Sequence, residues 1–276
     1  MFELQPPPRP ETVSGPGISA DSAGESRSGH APQHDCGLLL LGHGSHRGPA
    51  AARPVRELAS ELRRRGAFLQ VETGFWEEEP FMRDALLQFE TAEVAVVPIF
   101  TSVGYYTERV IPRELALHDP SRRPAGMEVR LCPPVGTHPG MAEVVLERAN
   151  AQGEPGFALV IVGHGTPKHP ESGRVSQVLA ESLRHAWPHG PVVAAFLDQE
   201  PTVQAVVREQ PGRGAVVVPF FIAEGWHAGV TLPASLAVEG GAGQLGSKSI
   251  RYTPPVGSHP RLAEFVIELA RAVWAP

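Results

Sequence analysis

One pattern occurs twice along the 276 residues, and it limits the fold more than any other feature. The run Leu39-Leu-Leu-Gly-His-Gly-Ser45 returns as Val160-Ile-Val-Gly-His-Gly-Thr166, so His43 and His164 stand 121 positions apart. The same offset relates Glu79-Pro80 to Glu200-Pro201, Val97-Pro-Ile-Phe100 to Val218-Pro-Phe-Phe221, and Gly104 to Gly225. It also relates Pro133-Pro-Val-Gly-Thr-His-Pro139 to Pro254-Pro-Val-Gly-Ser-His-Pro260. Solenoid repeats have periods of about 20 to 50 residues. A period this long instead implies two copies of one domain of about 115 to 120 residues, an ordinary domain size.

Each copy reads as α/β. The aliphatic runs before the two Gly-His-Gly turns are too short for helices and read as buried parallel strands. In the first copy, strands are expected near 38–41, 68–73, 93–97 and 128–131, with helices between them, including Glu108 to His118 and Pro139 to Ala149. The second copy repeats this order, with strands near 158–162, 192–196, 215–218 and 249–252. Its helices are expected near Arg174–Ala186, Pro201–Glu209, Val230–Leu236 and Pro260–Val273. The expected architecture is two tandem domains, each a four-stranded parallel sheet with helices on both faces and a cleft between the domains. The boundaries are 36–152 and 153–276. Residues 1–35, rich in Pro, Gly, Ser and Ala, are expected to be a disordered tail, because they carry too few large apolar side chains to offset ordering entropy. His30 and His34 in that tail read as solvated.

In open α/β sheets, ligands bind at the carboxyl ends of the strands, and such loops all open on one edge. Three of these loops in the second copy carry His164, Asp198 with Glu200, and His227 within Glu224-Gly-Trp-His-Ala-Gly229. Two imidazoles and a carboxylate in one cleft suit a divalent transition metal or a pair of bases. Each has a plain structural alternative: a histidine can cap a strand, Glu200 can be a charge at a helix start, and His227 can pack beside Trp226. His138 and His259, each in a Gly-Thr/Ser-His-Pro segment before a helix, read as structural. The run Glu77-Glu-Glu79 before Pro80 reads as the first turn of a helix. Arg63-Arg-Arg65 before Gly66 reads as a helix end.

The bulk composition excludes several classes. A net charge of −6 with no basic stripe provides no electrostatic reason to expect nucleic acid. Cys36 and Cys132 are the only cysteines, so neither a disulfide framework nor a four-cysteine cluster can form in one chain, and a reducing cytoplasm is expected. No apolar run reaches the ~20 residues that span a bilayer. The amino terminus, with Pro6-Pro-Pro8, does not read as a secretory signal.

These motifs in this order resemble the sirohydrochlorin chelatases, the anaerobic cobalamin cobaltochelatases and sirohaem ferrochelatases. The elements are a strand ending Gly-His-Gly-Ser/Thr, a Glu-Pro segment, a Val-Pro-Phe-Phe loop followed by Gly-x-His and Leu-Pro, and a Gly-x-His-Pro helix start. The resemblance covers residue 37 or so to the end. It implies a class II chelatase fold whose two domains face each other across a cleft for a modified tetrapyrrole. It also implies insertion of Co²⁺ or Fe²⁺ as substrate, with no ATP and no organic cofactor. Its two histidines carry over onto His164 and His227; His43 matches in the first copy, where the second position is Tyr106. Asp198 or Glu200 would then be a further metal ligand or proton acceptor. Tyr105, Tyr106, Phe220, Phe221 and Trp226 would wall a planar ring, and Arg109 and Arg174 would face its carboxylates. The rival readings are a metal or tetrapyrrole carrier without turnover, and a histidine phosphohydrolase, for which this sequence lacks the phosphate-clamping arginine of an Arg-His-Gly motif.

Overall fold

The structure, a computed structural model, describes residues 35–46, 48, 50–166, 173–223, 225 and 227–275, with the side chain of 227 excepted. The expected tail, with His30 and His34, lies outside the described residues except for Asp35, and Trp226 lies outside them too. The first copy runs β1 (Gly37–Gly42), α1 (Arg53–Arg64), β2 (Gln70–Phe75), a 3-10 turn (Met82–Gln88) and β3 (Glu93–Pro98). A wide π-type turn (Tyr106–Val110) then leads into α2 (Ile111–Glu114), β4 (Glu128–Leu131) and α3 (Met141–Asn150).

The second copy runs β5 (Phe157–Gly163), α4 (Arg174–Leu183), β6 (Val192–Phe196), α5 (Val203–Glu209) and β7 (Gly214–Pro219). A second π-type turn (His227–Thr231) enters α6 (Leu232–Ser235). Then come β8 (Val238–Glu239), β9 (Ala242–Leu245), β10 (Lys248–Tyr252) and α7 (Leu262–Ala272).

The first sheet has the order β2-β1-β3-β4, all parallel, as expected. The second repeats that order as β6-β5-β7-β10, but it is not a four-stranded parallel sheet. It carries two more strands, β9 and β8, paired antiparallel beyond β10. The reason is local. Gly240, Gly241 and Gly246 all adopt positive φ (57°, 82° and 62°), which closes two tight hairpins over a span too short for a parallel crossover.

Alternation along the central strands splits the core into layers. Leu38 and Leu40 of β1 face a central layer with α1, α3 and α7, while Leu39 and Leu41 face Met82, Leu86 and Ile111 on the outside. All six residues of β1 and all seven of β5 are buried, as strands covered on both faces require.

The central layer is shared between the copies. Helix α3 belongs to the first copy but packs on β7 and α4 of the second; α7 belongs to the second but packs on β3 and α1 of the first. The apolar stripe of α7 is core as expected, with Leu262, Phe265 and Val266 buried. The exchange is pinned at several points. Arg130 donates to the Val273 carbonyl at 2.6 Å, and Phe265 stacks on His138 with ring centroids 4.2 Å apart. Among the described residues, no helix is long and apolar enough to cross a membrane.

Candidate active site

Each central strand ends in a histidine held by glycine. After β1, Gly44 turns at φ +72°, and a Cβ there would meet Glu78 Cγ at 2.8 Å and Phe75 Cβ at 3.0 Å. After β5, Gly165 turns at φ +67°, and a Cβ would meet Gln199 Cγ at 2.6 Å and Phe196 Cβ at 2.9 Å. Only glycine suits both the backbone angle and the contact. The neighbouring strand end then clamps the turn. His43 O accepts from Trp76 N–H and Glu77 N–H, and His164 O accepts from Leu197 N–H and Asp198 N–H, at 2.9 to 3.1 Å.

That clamp brings a carboxylate to each imidazole. His164 Nδ1 lies 3.2 Å from Asp198 Oδ2, and His43 Nδ1 lies 3.9 Å from Glu77 Oε2. Glu77 is the residue the sequence reading missed. It belongs to the strand-end loop and not to a helix turn, and its position 121 before Asp198 was the available signal.

The tautomer follows from the carbonyls. Nδ1 of His43 and of His164 lies 3.1 and 3.2 Å from the oxygen of the following glycine, which can only accept. Nδ1 therefore carries the proton in both rings, and the lone pair sits on Nε2, the atom able to bind a metal or take a proton. The two other repeated histidines are set the opposite way. His138 Nδ1 accepts from Gly140 N–H and His259 Nδ1 from Arg261 N–H, so each turns Nε2–H to a carboxylate, Glu268 and Glu147 respectively, at 3.1 Å. Both nitrogens are engaged at helix starts, which is the structural role read for them.

The third site position is carried by the π-type turns. Tyr106 opens the first, and its ring meets His43 edge to face at 4.7 Å and stacks on Phe100 at 6.0 Å. Burial, then the charges of Glu77 and Tyr105, push its phenol pKa up. Position 227 opens the second turn at the same offset, closed by the same bond, Gly229 N–H to Gly225 O beside Glu108 N–H to Gly104 O. Phe221, the counterpart of Phe100, stands edge to face with His164 at 6.4 Å. Tyr105 is 52% exposed beside Tyr106.

Two of the other named residues, Glu200 and Phe220, fall elsewhere. Glu200 accepts from Thr202 N–H at 3.0 Å, the charge at a helix start that was its alternative reading. Phe220 is 2% exposed within the central core and is no ring wall. Arg109 is exposed on the first π-type turn, and Arg174 is exposed at the head of α4. Among the described residues, no three His, Cys, Asp or Glu side chains gather as a metal site.

The CbiX family model matches the chain twice, over residues 37–152 and 158–273, the same 121-residue offset. A probable sirohydrochlorin cobaltochelatase of Halobacterium salinarum is 34% identical, over 87% of this chain and 92% of that one. Among solved structures, a multi-domain Deinococcus radiodurans protein with structural similarity to chelatases is 28% identical at TM-score 0.70, covering 86% of this chain and 54% of that one. The sirohydrochlorin chelatase SirB from Bacillus subtilis subspecies spizizenii, in complex with cobalt, shares the fold at TM-score 0.66 and 20% identity, over 87% of this chain and 95% of that one. With both copies matched and the strand-end histidines in place, the chain belongs to the CbiX family of chelatases.

Proposed function

We propose that the chain inserts a divalent metal, Co²⁺ or Fe²⁺, into sirohydrochlorin, without nucleotide or organic cofactor, and that the second copy does the work. The observation that carries this is the His164–Asp198 pair, which fixes an exposed imidazole with its Nδ1 proton toward carboxylate and carbonyl and its lone pair on Nε2. Imidazole and carboxylate suit both metals, and the Halobacterium relative's name supports cobalt.

Insertion exchanges two ring N–H protons for one M²⁺. The neutral imidazole of His164 has one lone pair, so it either holds the arriving metal or takes one of those protons. His227, on the second π-type turn, takes the complementary task, and the second ring proton leaves to solvent water. Asp198 holds the His164 ring in its Nδ1–H form and balances charge when that ring is protonated. Glu200, committed to its helix start, is not given this role. Tyr105, Tyr106 and Phe221 form apolar walls for the ring, while Arg109 and Arg174 face its carboxylates; Trp226, also expected as a wall, lies outside the described residues. The first copy has Tyr106 in place of the second histidine and serves to hold substrate.

Absorbance spectra of sirohydrochlorin with Co²⁺ or Fe²⁺, with and without protein, test the reading. Metallated product beyond one equivalent per chain, formed faster than in the protein-free control, is expected. Product that stops at one equivalent would make this a carrier.

A further inference from the structure

The repeat creates two cavities between the copies that occupy equivalent positions yet differ in chemistry. One lies along α4 and holds about 610 Å³; the other lies along α1 and holds about 370 Å³. The 121-residue offset pairs their walls: Arg174 with Arg53, Leu179 with Leu58, and Ala142 with Ala263. It also pairs Val178 with Glu57 and Ser182 with Glu61, so the α4 cavity has lost the carboxylates of its twin. In the α1 cavity those charges satisfy one another, Glu57 with Arg53 at 3.8 Å and Glu61 with Arg65 at 2.6 Å.

The α4 cavity keeps its apolar wall open to solvent. Val178 is 58% exposed and Val103 is 39% exposed, two of the few large apolar side chains so placed among the described residues. Single exposed apolar residues are ordinary; two lining one cavity of ligand size point to an occupant. Both walls adjoin the candidate site along the chain. Val103 and Glu108 belong to the segment carrying Tyr106, whose ring abuts His43, and among the described residues α4 is the first helix after His164. The polar groups at the cavity include Arg174, which suits a carboxylate, and Glu108, the one acidic side chain lining it.

We propose that the α4 cavity receives the apolar edge of a flat tetrapyrrole whose rim carries carboxylates, and that Val178 decides which of the two twin cavities takes it. The inference rests on the chelatase reading and deepens it. An apolar wall covers the face of a conjugated ring, whereas the paired charges of Glu57 and Arg53 would have to be separated and desolvated to do so.

The test uses the full chain and the internal twin as control. Val178→Glu installs the twin's residue, and Glu57→Val makes the reverse change in the other cavity. Binding of metal-free sirohydrochlorin is read by its absorbance and fluorescence, and steady-state KM is measured separately for ring and metal. Val178→Glu should raise the ring's Kd and KM about tenfold or more, the loss expected when one buried valine contact is removed, and leave the KM for metal unchanged. Glu57→Val should leave both as they were. Val178→Thr, close in shape and uncharged, should shift the ring's KM in the same direction by less, which separates docking from misfolding. Ring binding by Val178→Glu equal to that of the unaltered chain, with turnover intact, overturns the cavity assignment and leaves the chelatase reading standing. Weakened ring binding in Glu57→Val overturns the assignment as well. An unaltered chain that neither binds the ring nor inserts metal overturns both.

Discussion

His164 Nδ1 lies 3.2 Å from Asp198 Oδ2, and the counterpart pair in the first copy, His43 with Glu77, is 3.9 Å apart. Two strand ends thus present the same imidazole–carboxylate pair, and the copies differ at the third position, where Tyr106 is the counterpart of His227.

If the second copy catalyses insertion, His164→Ala and His227→Ala should each lower the steady-state rate by about 10² to 10⁴-fold, the usual loss with a general base. Asp198→Asn should cost about ten- to a hundredfold, since it acts through His164. His43→Ala should cost much less than either. An assay in which His43→Ala is the most damaging change, with all variants equally folded by circular dichroism, would move the site to the first copy.

Tyr106 should be silent as an acid or base. Burial, ahead of the charges of Glu77 and Tyr105, raises its pKa, so the phenol stays protonated through neutrality. Tyr106→Phe should therefore leave the pH profile of insertion unchanged between about pH 6 and 9. Tyr106→His would place a second imidazole beside His43 and Glu77. Calorimetric titration with Co²⁺ should then find one more site per chain than in the unaltered protein.

The exchanged helices make the copies fold together. Phe265, 2% exposed and stacked on His138 of the other copy, should cost about 3–5 kcal/mol when changed to Ala. The loss should appear as one shifted transition in denaturant unfolding followed by both tryptophan fluorescence and circular dichroism. Two separated transitions would mean that each copy unfolds by itself.

His259 supplies a pH dependence of stability. Burial first, then Arg148 and Arg261, lower its pKa against the opposing pull of Glu147, so the folded chain favours the neutral ring. Its Nε2 faces Glu147 at 3.1 Å, and Arg261 bridges to Glu147 and Glu143 at 2.9 and 2.7 Å. Below the ordinary histidine pKa of ~6.5 the unfolded chain binds a proton that the folded chain resists, so stability falls as pH drops from there to the folded-state pKa. Thermal melts at about pH 7 and pH 5 should show a larger fall for the unaltered chain than for His259→Gln. An equal fall in both would remove His259 as the cause.

Much of the candidate site is legible in the repeat. Offset alone pairs His43 with His164 and Tyr106 with His227, and the glycine after each histidine, Gly44 or Gly165, marks a turn at positive φ. Glu77 was missed because three successive glutamates before a proline look like a helix start. Only the neighbouring strand's register turns the first of them onto His43. Glu200 looked equivalent to Asp198 in sequence, and a two-residue difference along the loop sends one carboxylate to the helix start and the other to the imidazole.

The sequence by itself determined the duplication, the four parallel strands common to both copies and the placing of histidines at strand ends, because these depend on apolar run length and on backbone angles that only glycine allows. Tertiary structure decided that α3 and α7 change places, that Gly240, Gly241 and Gly246 fold two extra strands onto the second sheet, and that one of two twin cavities is apolar. The exchange of helices and the cavity depend on contacts between elements far apart in the sequence, and the two extra strands depend on glycine turns that the strand pattern did not mark. A helical stripe such as Leu262, Phe265 and Val266 states that it must be buried, but it does not state which sheet will cover it.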